Sequence, residues 1–82
     1  MLNCLVREQY KKGTVLFKKN DIPVSFYIIE SGKVSLVFNN PTKTDIVLGS
    51  LESFGENAFK LGAKREGTAT VEEDLVCLTI NE

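Results

Sequence analysis

Short runs in which hydrophobic and polar residues alternate follow one another along most of this chain. In the clearest run, Val34, Leu36 and Phe38 share one face, the period expected of a half-buried strand. Other runs are rich in β-branched and aromatic residues, with turn residues between them about every eight to twelve positions. The predicted strands are 3–10, 14–17, 25–29, 33–38, 45–51, 68–72 and 75–80. This spacing predicts a mainly β, antiparallel sandwich or barrel.

Two pairs of predicted strands are joined by very short connections. Glu30-Ser31-Gly32 is a turn signal between 25–29 and 33–38, and it predicts the clearest hairpin of the sequence. Glu73-Asp74 separates the last two runs in the same way. Since no internal repeat, low-complexity segment or linker interrupts the pattern, we expect residues 1–82 to form a single domain with one small core.

The charge and cysteine content narrow the class of protein. Ten basic and eleven acidic residues give a formal net charge of −1, which argues against nucleic acid or an anionic membrane as a partner. No apolar run approaches the ~20 residues of a membrane span, so we expect a cytoplasmic protein. Cys4 and Cys77 lie among apolar residues without metal-type spacing, which indicates reduced core thiols, with a disulfide between them as the alternative.

Residues 54–71 carry the most specific candidate chemistry. Phe54-Gly55-Glu56-Asn57-Ala58 is followed, nine residues after Glu56, by Arg65. Glycine lets the backbone approach a ligand closely, a carboxylate accepts hydrogen bonds from sugar hydroxyls, and a guanidinium pairs with a phosphate. A helical turn over 57–61 would add N–H groups to an anion site. The pattern predicts a site for a small ligand that carries a hydroxylated sugar and a phosphate.

Each of these residues also has a simpler interpretation. Glu56 alone could satisfy N–H groups at a helix start, and Arg65 beside Lys64 could be a solvated surface cation. Thr68 and Thr70 alternate on a strand and are more often simple β-formers. The chain has no histidine, the usual ligand of a jelly-roll metal enzyme, and no nucleophile and base pair stands out. We therefore expect no enzymatic activity, no metal and no cofactor.

The order of motifs from about Gly13 to Leu78 resembles the cyclic nucleotide-binding domain family. The matching positions are 12–17, 20–21, 26–29, 31–34, 48–49, 54–56, 58, 65 and 69–71. The resemblance implies an eight-stranded antiparallel β-jelly roll, with one short helix in a phosphate-binding cassette between two late strands. Family members also carry helices before and after the barrel. These flanking helices are absent from this chain, which we interpret as the barrel core of a larger protein.

The resemblance implies a role for each candidate residue. Glu56 would bind the ribose 2′-hydroxyl, Gly55 and Ala58 would offer backbone N–H groups, and Arg65 would neutralise the cyclic phosphate. The predicted site comprises Phe54, Gly55, Glu56, Asn57, Ala58, Arg65, Thr68, Ala69 and Thr70. The ligand implied is cAMP or cGMP, and the partner is an effector domain, such as a protein kinase, in the same or another chain.

Two segments depart from the family pattern. Asn20 stands where the family usually has glycine, but asparagine also accepts a left-handed backbone at low cost. After Arg65 two extra residues must be absorbed before the strand, and we expect a bulge that uses Gly67. In that alignment Thr68 stands where cGMP-selective members contact guanine, whereas in the other alignment Glu66 does. The preference between cAMP and cGMP stays open.

Three functions follow, in order of preference. The first is a regulatory module that binds cGMP or cAMP and relays the binding to an effector such as a protein kinase. The second is a degenerate barrel that no longer binds nucleotide and acts as a scaffold or docking module, for which the altered segment around Arg65 is the main support. The third, a small metal enzyme, is the least favoured.

Overall fold

The fold is mainly β and antiparallel, as predicted. The computed structural model describes residues 4–23, 25–55 and 64–81. These residues form one sheet of six strands: β1 (Cys4–Tyr10), β2 (Val15–Phe17), β3 (Ser25–Val37), β4 (Ile46–Leu48), β5 (Ser53–Phe54) and β6 (Thr68–Asn81). The main order is β1-β6-β3-β4, with β2 paired to β6 and β5 paired to β3. The helical turn expected over 57–61 lies outside the described residues.

The hairpin predicted around Gly32 is wrong. Residues 25–37 form a single strand, and both of its halves pair with β6, from Ser25 opposite Asn81 to Val37 opposite Thr68. Register shifts lie between Ile29 and Val34, so the chain bends at this point instead of reversing. The two runs predicted on either side of Glu73-Asp74 are likewise one strand, β6.

Gly32 is the residue that permits the bend. Its φ is +96°, and a Cβ atom placed on it would collide with the carbonyl oxygen of Asp74 on the facing strand. Gly32, which the sequence pattern predicted to form a hairpin turn, is therefore a site of close approach between two bent strands. When each half of β3 and of β6 is counted as a strand, the described residues contain the eight strands that the resemblance implies.

The core lies on the inner face of the bent sheet. Alternate residues of β3 and β6 are buried on either side of the bends, which fits the period of two expected for strands. The buried hydrophobic residues are Tyr27, Ile29, Val34, Leu36, Phe54, Ala69, Val71, Leu75 and Cys77. Within the described ranges no helix is long and apolar enough to cross a membrane.

Cys77 is a free, buried thiol, as predicted. In the β1–β6 ladder Cys4 lies opposite Asn81, while Cys77 lies opposite Glu8. Four strand residues therefore separate the two cysteines along the ladder, about 13 Å, which is well beyond the Cα separation of a disulfide. The alternative of a disulfide between them is not compatible with this register.

The buried thiol predicts a loss of stability in alkaline solution. Burial raises the pKa of Cys77 above its ordinary value of 9.0, so the folded state prefers the neutral thiol. Its contribution is complete below about pH 9 and is lost as the pH rises through the raised pKa. In a Cys4→Ser background, the free energy of unfolding in urea should fall between about pH 9 and pH 10.

Substitution of Cys77 provides the control for this pH dependence. A Cys77→Ala variant in the same background should show a shallower fall between about pH 9 and pH 10, whatever its absolute stability. Equal slopes for the two proteins would contradict the assignment to this thiol. The pKa of Tyr27 is also raised by burial, above 10.0, so a further fall at higher pH is expected in both proteins.

Leu51 holds an unusual backbone conformation in the turn between β4 and β5. Its φ is +69° and its side chain is 89% exposed. The turn is fixed by hydrogen bonds on both sides of it: the Leu51 N–H donates to the Ile29 carbonyl at 2.8 Å, and the Gly49 N–H donates to Glu52 Oε1 at 2.8 Å. A left-handed conformation costs an ordinary residue about 1–2 kcal/mol, and no burial of the leucine offsets it.

Replacing Leu51 with glycine should stabilise the protein. Glycine adopts this φ without strain, although it also increases the entropy of the unfolded chain, so we expect a net gain of about 0.5–1 kcal/mol in the free energy of unfolding. Urea titration measures it. Ser50→Gly in the same turn is the control, because Ser50 is not among the positive-φ residues and its replacement should reduce stability. A Leu51→Gly variant that unfolds at the same or lower urea concentration would refute the assignment of strain.

Candidate functional site

The backbone of Arg65 is fixed against the turn that follows β2. The Arg65 N–H donates to the Asp21 carbonyl at 2.9 Å, and the Asn20 N–H donates to the Arg65 carbonyl at 2.9 Å. Asn20 has a φ of 76°, which confirms that this asparagine takes the left-handed conformation expected in place of glycine. The turn is closed by Asp21, whose carboxylate accepts from the Lys18 N–H at 2.9 Å. The backbone of Arg65 is therefore held by hydrogen bonds to this turn.

The side chain of Arg65 lies inside the barrel. Burial alternates without interruption through Arg65, Gly67, Ala69 and Val71, so these four residues face the same side although the chain bends at 66–67. Arg65 is 4% exposed, and its interpretation as a solvated surface cation is wrong. The bulge expected here is a bend, and it does not shift Arg65 away from the interior.

Gly67 occupies the bend because no side chain would fit there. A Cβ atom on Gly67 would lie 2.8 Å from both Phe38 Cδ1 and the Val37 carbonyl oxygen. The next residue, Thr68, begins β6, and its hydroxyl accepts a hydrogen bond from the Lys19 N–H at 3.2 Å. The residues on either side of Gly67 are thus both held in place by hydrogen bonds to the segment 19–21.

Among the described residues, three groups from separate parts of the chain contact the Arg65 guanidinium. Its Nη2 donates to the Ser25 carbonyl at 2.6 Å, and its Nη1 donates to the Gly55 carbonyl at 3.1 Å. Its Cζ lies 4.0 Å from the centroid of the Phe17 ring. A buried cation is strongly unfavourable unless polar groups compensate for lost water. The carbonyl dipoles and the negative face of the ring provide that compensation here.

Phe54 and Gly55 reach the guanidinium through the pairing of β5 with β3. Tyr27 lies opposite Phe54 in this ladder, and the two rings stack at a centroid distance of 4.8 Å. Gly55 follows with a φ of +86°, and a Cβ atom on it would lie 2.7 Å from Arg65 Nη1 and 3.0 Å from the Ser25 carbonyl oxygen. Only glycine permits this close approach.

A cleft of about 200 Å³ opens beside the guanidinium. Its wall is mostly apolar, and its polar part includes the cation of Arg65 and, further out, an exposed ion pair between Lys43 and Glu66. The described lining residues are Phe17, Leu36, Phe38, Lys43, Ile46, Leu48, Ser53, Phe54, Gly55, Arg65, Glu66 and Gly67. A buried guanidinium in an apolar wall suits a ligand that combines an anionic group with a flat, weakly polar body.

The structure brings together Phe54, Gly55 and Arg65 from the predicted site. Thr68, Ala69 and Thr70 lie on β6 away from the described cleft wall: Ala69 is in the core, and Thr70 lies opposite Val15 and Ser35 in the sheet. The remaining predicted residues, Glu56, Asn57 and Ala58, lie outside the described residues.

Sequence reasoning missed two residues that surround the guanidinium. Phe17 was assigned only to a strand, and Ser25 contributes through its carbonyl, which no sequence motif identifies. The one available signal for Phe17 was an aromatic residue at the end of a short strand, just before the Asn20 turn. That signal is equally typical of a core residue.

Comparison with known proteins identifies the family. The model of the cyclic nucleotide-binding domain family matches residues 7–82. Several relatives span nearly the whole chain. The cAMP-dependent protein kinase regulatory subunit of Candida albicans is 32% identical over 81 residues, 99% of this chain and 17% of that protein. A cGMP-dependent protein kinase of Eimeria tenella is 35% identical over 78 residues, 95% of this chain and 8% of that protein. The chain therefore spans less than a fifth of these relatives.

Solved structures show the same fold. The catabolite activator protein of Thermus thermophilus superposes with a TM-score of 0.82 at 28% identity, over 94% of this chain and 38% of that one. The regulatory subunit of a cAMP-independent protein kinase A from Trypanosoma brucei gives a TM-score of 0.82 at 18% identity, over 94% and 28%; at this identity it shows the jelly-roll fold alone. The family match, the relatives and the shared fold agree, and the chain belongs to the cyclic nucleotide-binding domain family.

Proposed function

We propose that this chain binds a cyclic nucleotide monophosphate, cGMP or cAMP, and that Arg65 binds its cyclic phosphate. The observation that carries the proposal is a buried guanidinium, 4% exposed, in the wall of a mostly apolar cleft. A charged hydrogen bond to phosphate is stronger in such a setting than in water.

The contacts of Arg65 support exchange with a phosphate. Nη2 has the shorter bond, 2.6 Å to the Ser25 carbonyl, whereas Nη1 has the longer one, 3.1 Å to the Gly55 carbonyl. A phosphate oxygen is charged and is a stronger acceptor than a neutral carbonyl. The ligand would therefore compete best for Nη1, while Ser25 continues to hold the side chain.

The rest of the ligand would contact the residues that follow Gly55. Glu56 would accept from the ribose 2′-hydroxyl, and the N–H groups of Gly55 and Ala58 would face ribose and phosphate, with Asn57 between them. Thr68 stays a prediction for the purine contact. Such a contact would require its hydroxyl to leave the Lys19 N–H, 3.2 Å away, and Ala69 and Thr70 would contribute only as the adjoining strand.

The regulatory role is the second part of the proposal. The relatives over this segment are a regulatory subunit of a cAMP-dependent protein kinase and a cGMP-dependent protein kinase. Residues 1–82 would act as one domain that relays binding to an effector, such as a kinase domain in the same or a partner chain. The domain itself is a regulatory binding unit and not a catalytic one.

A degenerate barrel that serves as a scaffold is the alternative. The specific observation in its favour is that backbone carbonyls of Ser25 and Gly55 already accept from Arg65. A guanidinium used in this way could stabilise the barrel without any ligand. Binding measurements separate the two functions directly.

Calorimetric titration of the chain with cAMP and with cGMP tests the proposal. We expect saturable binding, weakened in Arg65→Ala by about 1.5–3 kcal/mol, the scale of a lost charged hydrogen bond. Arg65→Lys keeps the charge without the planar donors and should lose an intermediate amount. Lys64→Ala is the matched control, since this neighbouring cation is exposed and its loss should leave binding nearly unchanged.

The interpretation of this titration depends on folded protein. Circular dichroism and thermal unfolding must show that each variant is folded at the titration temperature, because Arg65 also contacts the backbone of two strands. Absence of heat from the unsubstituted chain with either nucleotide at millimolar concentration would contradict the binding function and favour the scaffold.

A further inference from the structure

Phe17 makes a contact with Arg65 that differs from ordinary core packing. The guanidinium Cζ lies 4.0 Å from the Phe17 ring centroid, whereas the Tyr27 ring is 6.0 Å away. At 4.0 Å a planar guanidinium sits against the face of the ring, where the quadrupole of the ring attracts a cation. Phe17 also lines the cleft. The Phe17 side chain thus contacts the guanidinium that would bind the phosphate, and it also lines the cleft that the ligand would enter.

An irregularity in β2 aims the Phe17 ring at this position. Val15 lies opposite Thr70, but Phe17 lies opposite Ala69, so the register shifts within three residues. Val15 is exposed, while Leu16 and Phe17 are both half-buried, which breaks the in-and-out alternation of a regular strand. Bulges of this kind turn a side chain toward a new direction. Here the shift turns Phe17 toward the guanidinium.

We propose that Phe17 is a positioning residue for anion binding: its ring, together with the Ser25 carbonyl, fixes the plane of the Arg65 guanidinium so that its donors face the cleft. This inference rests on the proposed function, because it assigns a role within the same site. A long arginine side chain loses considerable rotamer entropy when it is held in one geometry. A site that fixes the side chain before the ligand arrives loses less affinity on binding.

A purely structural role for Phe17 is the competing explanation. Its ring also packs 6.1 Å from Tyr27 and 6.0 Å from Phe54, measured between centroids. Loss of this packing would lower stability and loosen the site in general. The test therefore has to separate an effect that passes through the Arg65 guanidinium from one that does not.

A double-mutant cycle makes this separation. Phe17→Leu should weaken binding of the preferred cyclic nucleotide about 3- to 30-fold in the Arg65 protein, the range of a cation–π contact. In an Arg65→Gln background, which has no cation to lie over the ring, the same substitution should change affinity less than about 2-fold. Equal losses in both backgrounds would overturn the positioning role. Phe17→Tyr keeps the ring face and should restore affinity.

Phe38→Leu is the matched control for the cycle. It is the same chemical change on the same cleft, but the Phe38 ring lies against Lys43, at 5.3 Å from Nζ to centroid, and not against Arg65. Whatever its effect on affinity, that effect should be the same in the unsubstituted protein and in the Arg65→Gln background. Strong coupling of Phe38 to Arg65, equal to that of Phe17, would count against a specific role for Phe17.

A measurement without ligand keeps this inference distinct from the proposed function. In NMR spectra of the ligand-free protein, the Phe17 ring current should shift the Arg65 side-chain signals upfield, and Phe17→Leu should abolish this shift while Phe38→Leu and Phe17→Tyr retain it. Unchanged Arg65 signals in folded Phe17→Leu would overturn the inference. Failure of the unsubstituted chain to bind nucleotide would instead contradict the proposed function, and the NMR result would then still decide whether Phe17 orients Arg65.

Discussion

The contact between Arg65 and Ser25 closes the barrel. In the ladder of β3 and β6, Ser25 lies at one end, opposite Asn81, and the other end is formed by Val37 opposite Thr68, just after Arg65. Twelve strand residues separate these ends, about 40 Å if the ladder were straight. Yet Arg65 Nη2 lies 2.6 Å from the Ser25 carbonyl oxygen. The ladder must therefore fold back on itself, and the bends at the middle of both strands make this possible.

The buried Arg65 cation requires polar groups around it. The Arg65 side chain is almost fully buried, so polar groups of the protein must replace most of its hydration. They come from the start of β3, the end of β5 and the end of β2, through Ser25, Gly55 and Phe17. β2 and β3 follow each other in the chain, whereas β5 comes only after β4. The need to stabilise one buried charge thus ties β2 to the paired strands β3 and β5, to which backbone pairing does not join it directly.

The sequence predicted the positions of the strands better than it predicted which strands pair with each other. Alternation of side chains is a local property, so β1, β2 and both halves of β3 could be read directly. The turn at Gly32 could not, because the same residue serves a hairpin and a bend equally well, and only the long-range pairing with β6 decides between them. The grouping of Gly55 with Arg65 was predicted from the motif. The contact with Phe17 depends on a register shift opposite Ala69, which leaves no mark in the sequence.

The alternation of side chains from Arg65 into β6 explains why Thr68 is separated from Arg65. In an extended chain, residues an odd number of positions apart point to opposite faces. Arg65 and Ala69 share the inner face, whereas Thr68 lies on the other and its hydroxyl binds the Lys19 N–H. The sequence motif places Arg65, Thr68 and Ala69 in one site, but in the structure Thr68 faces the opposite side from Arg65 and Ala69.

Gly55 connects the closure of the barrel with the proposed ligand binding. A side chain at this position would collide with Arg65 Nη1 and with the Ser25 carbonyl, and the φ of +86° already disfavours one. The glycine is therefore required by the closure contact itself, before any ligand is considered. The same geometry holds the guanidinium in the wall of the cleft, where an anion can reach it. Because closure and the proposed anion binding would use one side chain, a barrel that keeps its shape would also keep its cation in place for a phosphate.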